Sequence, residues 1–278
     1  MTSEIERNVS AALAEDVGSG DLTALLTSAD STARATVLCR TQAVLCGQAW
    51  FDACFRRLDP GVTVTWNVAE GEKIGAGITT VCTVHGSARA LLTAERTALN
   101  FLQTLSAVAT VTRRYIEAVT GTRAAIVDTR KTLPGLRIAE KYAVRTGGGV
   151  NHRLGLYDAI LIKENHIAAA GGVTAALAAA QRIAPAGVWI QIEVETLDQL
   201  REALTAGARM ILLDNMDLDT LRAAVKITAG RAELEASGGI NLDNVRAIAE
   251  TGVDRISIGS LTKDIKTVDL SMRFEADS

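Results

Sequence analysis

The chain has 278 residues, of which 48% are apolar, 22% charged and only three proline; this composition excludes a disordered or fibrous polymer and leaves room for two moderate domains. A formal net charge of −3 and a sequence pI near 5.7 exclude a general nucleic-acid binder and direct attention to small ligands. The N-terminal segment lacks the apolar centre of a signal peptide, and no run approaches the roughly eighteen apolar residues of a membrane span, so a cytoplasmic protein with no membrane partner is expected.

In chain order, residues 4 to 16 carry an amphipathic helical pattern. Alternating apolar residues predict strands over 33–46, 62–68 and 79–85, with a helix over 48–58, which together make an α+β unit. Cys39, Cys46, Cys54 and Cys82 all fall here without metal-binding spacing, so reduced thiols are expected. From Ser87 to about Thr120, Leu91, Leu92, Leu99, Leu102, Leu105, Val108 and Val111 keep helical spacing, as one long helix or two in succession.

After Gly121 the texture changes to short apolar runs, each followed by an amphipathic helix. The runs are 124–127, 159–162, 188–194, 210–213, 232–235 and 255–258, and the last four start roughly 22 residues apart, the length of one β/α unit. Six strands are fewer than a full eight-stranded barrel, so a shorter barrel and an open doubly wound sheet both fit the pattern. Polar residues at the strand ends favour the barrel: Asp128 and Arg130, Lys163, Glu193 and Glu195, Asp214, Ser237 with Gly238 and Gly239, then Gly259 with Ser260. In a β/α barrel all of these face one mouth.

Between Arg130 and Lys163 lie seven basic residues against two acidic ones, Glu140 and Asp158, a local excess that suits a polyanionic ligand. Arg137, Lys141 and Arg145 share one helical face, where a solvated or ion-paired surface competes with ligand contact. Arg130, Lys131, His152, Arg153 and Lys163 sit at loop or strand-end positions and form the candidate anion-binding set. Glu193 and Asp214, at the ends of neighbouring strands, are candidate Mg²⁺ ligands or, alternatively, salt-bridge partners of Lys163. The Ser237-Gly238-Gly239 turn, ahead of a helix expected from about Asn241, is a candidate phosphate cradle.

The stretch Asp128-Thr-Arg-Lys-Thr-Leu-Pro-Gly-Leu-Arg137, followed by Glu140-Lys-Tyr-Ala143, Gly147-Gly-Gly149, Asn151-His-Arg153 and Asp158-Ala-Ile-Leu-Ile-Lys-Glu-Asn-His166, is similar to the quinolinate phosphoribosyltransferase family. Further matching segments are Gly20-Asp21-Leu-Thr23, Ala94-Glu-Arg-Thr-Ala-Leu-Asn-Phe101, Glu193-Val-Glu195, Leu212-Leu-Asp-Asn215, Glu235-Ala-Ser-Gly-Gly-Ile240 and Asp254 to Gly259, so the resemblance spans nearly the whole chain. One departure is Ala107, where the family usually shows glycine.

The resemblance implies an α/β protein with an N-terminal α/β sandwich domain, residues 1–110, and an incomplete six- or seven-stranded α/β barrel, residues 111–278, whose C-terminal tail is free to return to the first domain. It implies a pentosyltransferase of de novo NAD biosynthesis that joins quinolinate to phosphoribosyl pyrophosphate with Mg²⁺, releasing nicotinate mononucleotide, pyrophosphate and CO₂. By motif, Arg130, Lys131, His152, Arg153 and Lys163 would line the quinolinate and phosphate pocket. Glu193 and Asp214 would hold the ribose hydroxyls and the metal, while Ser237, Gly238, Gly239 and Gly259, with Ser257 beside them, would cradle the 5′-phosphate. Lys131, Lys163, Glu193 and Asp214 would be the catalytic residues, and Arg96 would enter the pocket of the partner subunit in a homodimer with shared active sites. A paralogous phosphoribosyltransferase on the same fold, a Schiff-base lyase using Lys163 and a phosphate-ligand binding protein are the competing readings.

Overall fold

The computed structural model describes residues 1–275. Its helices are α1 (Thr2–Val17), α2 (Gln48–Leu58), α3 (Ala88–Ala118), α4 (Arg137–Thr146), α5 (Glu164–Ala170), α6 (Val173–Ile183), α7 (Leu197–Thr205), α8 (Leu218–Thr228), α9 (Val245–Ala249) and α10 (Ser260–Lys263). Its strands are β1 (Thr32–Cys39), β2 (Ala43–Val44), β3 (Thr63–Trp66), β4 (Lys73–Ile74), β5 (Thr79–Ser87), β6 (Ala125–Val127), β7 (Ala159–Ile162), β8 (Trp189–Val194), β9 (Met210–Asp214), β10 (Glu233–Ser237), β11 (Arg255–Ser257) and β12 (Leu270–Phe274). Two compact units result, one of Met1–Arg113, Leu133–Gly148 and the segment from Asp264, the other of Arg114–Thr132 and Gly149–Lys263. No helix among the described residues is long and apolar enough to cross a membrane.

The second unit is a parallel six-stranded sheet in the order β6-β11-β10-β9-β8-β7. Its strands are short and largely apolar, as strands covered on both faces must be. Beyond β6, a single bridge between Val127 and Val150 extends the sheet by one residue. A one-residue bridge leaves no run of apolar alternation, which is why the pattern of the sequence yields six strands and no seventh. The sheet is curled rather than flat: Gln191 on β8 donates from Nε2 to Glu235 Oε2 on β10 at 3.1 Å, across the intervening β9. In a flat sheet strands two apart are separated by about 9.6 Å. Side chains from alternate strands meet only on the inside of a barrel-like curve.

The first unit holds an antiparallel sheet in the order β12-β1-β5-β3 and a small β2-β4 pair. β1 alternates as its sequence requires, with Ala35, Val37 and Cys39 fully buried. The strand expected over 33–46 is divided, because the chain turns at 40–42 before β2. Against the sheet α2 buries Trp50, Phe51, Cys54 and Phe55, and the Trp50 indole N–H donates to Asn8 Oδ1 of α1 at 3.1 Å. All four cysteines are buried and free. α3 is one continuous helix that accommodates Ala107 at a buried position.

Two segments beyond residue 110 also belong to this unit, so the two units are not separated by a single cut. β12 returns to pair with β1, from Cys39↔Leu270 to Ala35↔Phe274. α4 buries Ala139, Ala143 and Val144 and sets the Tyr142 ring 5.4 Å from that of Trp50. Where α4 ends against α3, Gly147 has an ordinary φ of −70° yet no room for a side chain: an added Cβ would lie 2.5 Å from the Ala109 carbonyl oxygen and 2.7 Å from Thr112 Cβ. Gly147→Ala is therefore expected to lower unfolding stability by about 1–3 kcal/mol through overpacking. Urea or thermal unfolding of the variant checks this, and wild-type stability would show that the helices can part at no cost.

Candidate active site at the mouth of the parallel sheet

Because the six strands run parallel, their carboxyl ends lie along one edge, and the sheet's curl gathers that edge into a cavity of about 160 Å³. Every strand contributes to its lining: Arg130 and Lys131 follow β6, Lys163 follows β7, Glu193 and Leu212 lie on β8 and β9, Ser237 ends β10 and Ser257 ends β11. His152 and Arg153, just past the Val150 bridge, complete the wall. A larger cavity of about 350 Å³ in the first unit has Arg7 as its one cationic lining residue and lacks this convergence. Chemistry rather than volume therefore selects the smaller site.

The loops that carry the cations are fixed through their backbones. Asp128, fully buried at the end of β6, accepts from the His152 backbone N–H at 2.8 Å and from Asn151 Nδ2 at 2.6 Å, which clamps the 151–153 segment to the strand end. The Lys131 carbonyl accepts from the buried Thr262 hydroxyl at 2.7 Å, and its N–H donates to Thr129 Oγ1 at 3.1 Å. Gly259 supports this placement, since an added Cβ would lie 3.1 Å from Lys131 Cδ. Arg153 donates from Nη1 to the Ala159 carbonyl at 3.2 Å. Burial, followed by the nearby Arg130 charge, pushes the Arg153 guanidinium below its ordinary pKa.

Lys163 forms the ion pair that the sequence left as an alternative: its Nζ is 3.0 Å from Glu193 Oε2. Burial raises the Glu193 carboxyl pKa; Lys163 opposes the shift, and the Asp214 charge adds to it. Asp214 ends the neighbouring β9 and accepts from Asn215 Nδ2 at 2.8 Å. The two carboxylates thus feel one another electrostatically, as their strand positions predict.

At the end of β10, Gly238 and Gly239 have φ of +102° and +60°, and a Cβ on Gly238 would lie 2.1 Å from Asn215 Oδ1. Only glycine fits at 238. The helix expected from about Asn241 instead starts at Val245 and is five residues long. Asn241 Oδ1 accepts from the N–H groups of Asp243 and Asn244 at 2.9 and 3.2 Å, a local turn that competes with helix. Any phosphate site here relies on the exposed glycine backbone more than on a helix dipole.

Of the residues singled out from sequence, Arg130, Lys131, His152, Arg153, Lys163, Glu193, Ser237 and Ser257 share one cavity. Asp214, Gly238, Gly239 and Gly259 flank it, and Arg96 is exposed on α3 in the other unit. Arg137, Lys141 and Arg145 also belong to that other unit; Lys141 is buried while Arg145 is exposed, so the three do not form a uniform solvated face. The cavity additionally contains Thr129, Leu161, Leu212 and Glu235. Glu235 carried a weak signal, a charged residue between Leu234 and Ala236 within a strand, whereas the two leucines carried none.

A model of the quinolinate phosphoribosyl transferase N-terminal domain matches residues 21–106, and a model of the C-terminal domain of the same family matches 108–273. The chain is 46% identical over 215 residues to the nicotinate-nucleotide pyrophosphorylase (carboxylating) of Mycobacterium leprae, covering 76% of this chain and 75% of that one. It is 38% identical over 296 residues to the chloroplastic enzyme of the same name from Oryza sativa subsp. japonica, covering 99% and 79%. The solved nicotinate-nucleotide pyrophosphorylase of Francisella tularensis superposes with a TM-score of 0.95 at 42% identity, covering 99% and 97% of the two chains. With both domain models matched in order and full-length relatives at this identity, the chain belongs to the quinolinate phosphoribosyltransferase family.

Proposed function

We propose that this chain transfers the phosphoribosyl group of phosphoribosyl pyrophosphate to quinolinate with loss of carbon dioxide, giving nicotinate mononucleotide and pyrophosphate in de novo NAD biosynthesis. The observation that carries the reading is the cavity itself: Arg130, Lys131, Arg153 and Lys163 share it with only two carboxylates, Glu193 and Glu235, an excess of two positive charges facing a ligand-sized space. A pyridine bearing two adjacent carboxylates matches that excess. Family membership and the names of the relatives support the same substrate pair.

The fixed cations would grip the two carboxylates and aim the ring nitrogen at the anomeric carbon. The nitrogen–carbon bond forms as the carbon–oxygen bond to pyrophosphate breaks. Ribosylation makes the ring nitrogen cationic, so when the C2 carboxylate leaves as CO₂ its electron pair stays on C2, stabilised by the adjacent positive nitrogen, and a proton from water completes the product. No decarboxylase cofactor is needed for that step. Lysine charge beside the leaving group would offset the negative charge that grows there.

Mg²⁺ fits the donors present. Among the described residues no group of three or more His, Cys, Asp or Glu side chains forms a protein-only cage. Mg²⁺ commonly takes one or two carboxylates and completes its shell with water and substrate phosphates. Glu193 and Asp214 would hold it, directly or through water, and it would supply positive charge to the departing diphosphate. Ser237, Ser257 and the backbone at Gly238, Gly239 and Gly259 would receive the 5′-phosphate. In a homodimer, Arg96 would complete the quinolinate pocket of the partner subunit, and the acidic net charge suits a cytoplasmic enzyme with small-molecule partners.

The direct test is incubation with quinolinate, phosphoribosyl pyrophosphate and Mg²⁺; nicotinate mononucleotide should appear, and no product would end the reading. Nicotinate, with one carboxylate, should show a kcat/KM at least about a hundredfold lower, because it leaves part of the buried positive charge unmatched. Comparable values for the two acids would refute the dianion match. Glu193→Ala and Asp214→Ala should each lower Mg²⁺-dependent turnover by about tenfold or more while leaving quinolinate binding largely intact. Calorimetry that found quinolinate affinity lost with a normal Mg²⁺ dependence would reverse the assignment. Finally, if Arg96→Ala and Arg130→Ala are each nearly inactive, co-refolding them in equal amounts should restore roughly a quarter of wild-type activity, since about half the dimers are mixed and each mixed dimer has one intact site. No recovery in mass-verified mixed dimers would rule out sharing.

A further inference from the structure

Beneath the mouth, the inward face of β8 carries Trp189, Gln191 and Glu193, and that of β10 carries Glu233, Glu235 and Ser237, since alternate residues share a face. Gln191 and Glu235 are fully buried. A chain of contacts joins them to the pocket wall: His152 Nε2 lies 2.9 Å from Gln191 Oε1, and Gln191 Nε2 donates to Glu235 Oε2 at 3.1 Å. Arg255 Nε stands 3.1 Å from the same carboxylate oxygen. On the other side of the imidazole, His152 Nδ1 accepts the Arg153 backbone N–H at 2.8 Å.

These directions determine the tautomer. A nitrogen that accepts a backbone N–H carries no proton, and the other nitrogen, facing an amide oxygen, must donate. Gln191 cannot be reversed without turning its own NH₂ away from Glu235, which needs a donor. We propose that Gln191 and Glu235 are positioning residues that hold His152 as a neutral imidazole with its proton on Nε2, so that His152 walls the pocket as an uncharged aromatic surface and adds nothing to its cationic set. Trp189 supports the ring edge-on, with centroids 5.0 Å apart and planes at 75°.

The opposing possibility is an imidazolium. Glu235 Oε1 lies 3.8 Å from His152 Nε2 and would favour one, as would the buried Asp128, which accepts the His152 backbone N–H at 2.8 Å. Against it stand Arg255, already opposite Glu235; Arg153, Arg130, Lys131 and Lys163, which share the cavity; and the Arg153 N–H, which would point at a second N–H on Nδ1. Glu193, the other carboxylate of the cavity, is 3.0 Å from Lys163 Nζ. A neutral ring satisfies both ring contacts, whereas a charged ring breaks one of them.

The test is nitrogen NMR on the full chain labelled at its three histidines, with His152 assigned by its disappearance in His152→Phe. The expected pattern is a protonated Nε2 and bare Nδ1, unchanged from about pH 6 to about pH 8.5, where an ordinary histidine near 6.5 would have titrated. In Gln191→Leu that pattern should be lost. KM for quinolinate should rise about tenfold with kcat changed less than about threefold, because the wall is displaced rather than the reacting groups. A doubly protonated His152 at neutral pH in the wild type overturns the proposal, as does a Gln191→Leu protein with an unchanged His152 signal and KM. The kinetic arm rests on the quinolinate reading; the spectrum does not, so the proposal stands or falls even if that substrate is wrong or the variant does not fold.

Discussion

The direction of the strands in the second unit is the constraint from which the site follows. Six parallel strands place six carboxyl ends on one edge, and no residue at such an end can avoid that edge. What remains is to bring the edge together, and the curl of the sheet does so; its mark is the Gln191–Glu235 contact across β9. Basic residues separated by 33 positions, from Arg130 to Lys163, become neighbours without any local motif that joins them. The same directional rule explains why Glu193 and Asp214 feel each other's charge while lying 21 residues apart in sequence.

The interior of that curl is polar, which is unusual for the space enclosed by parallel strands and costly, since Glu235 Oε1 and Arg255 Nε make no hydrogen bond there. Glu235 is opposed by Arg255 and receives Gln191, and Gln191 in turn faces His152. An apolar layer would have filled the same volume at lower desolvation cost. A polar layer does something an apolar one cannot: it fixes the rotation of a pocket side chain from below. The Asp128 clamp fixes the same segment from the backbone side. Together they leave the 151–153 turn, which has no regular secondary structure, little freedom at the place where Arg153 enters the cavity.

Strong periodicity made most elements legible from sequence: α2 and β7 occur at the bounds read from pattern, and the long run after Ser87 is one continuous α3. Legibility failed where the physics is not periodic. The Val150 bridge extends the sheet through one residue, too short for any pattern, and α9 starts late because Asn241 forms its own turn. The 133–148 segment lies between two strands of one sheet yet packs with the other unit, because its apolar face, Ala139, Ala143 and Val144, is buried there. Sequence adjacency says nothing about which core an inserted helix joins. Of the site, strand-end residues could be read from pattern because one edge collects them, whereas the layer below the mouth was missed, although Gln191 inside the run Trp189–Ile192 was a visible exception and Glu235 recurs on the polar face of β10 with Glu233 and Ser237.

The charge balance of the cavity shows what this rigidity is for. Burial and Arg130 both act against the Arg153 cation, so the fold holds positive groups closer together than they would choose in water. It does this through backbone anchors, the Thr262 contact to the Lys131 carbonyl and the Asp128 contact to the His152 N–H, with Glu193 offsetting the Lys163 charge. Anchoring the backbone denies the charged ends the freedom to relax apart. In that setting another cation in the wall would add repulsion, whereas a neutral, fixed imidazole contributes a flat surface at no electrostatic cost. The polar layer beneath the mouth and the positive excess within it are therefore two parts of one solution: a rigid, uncharged wall lets a small space carry several cations.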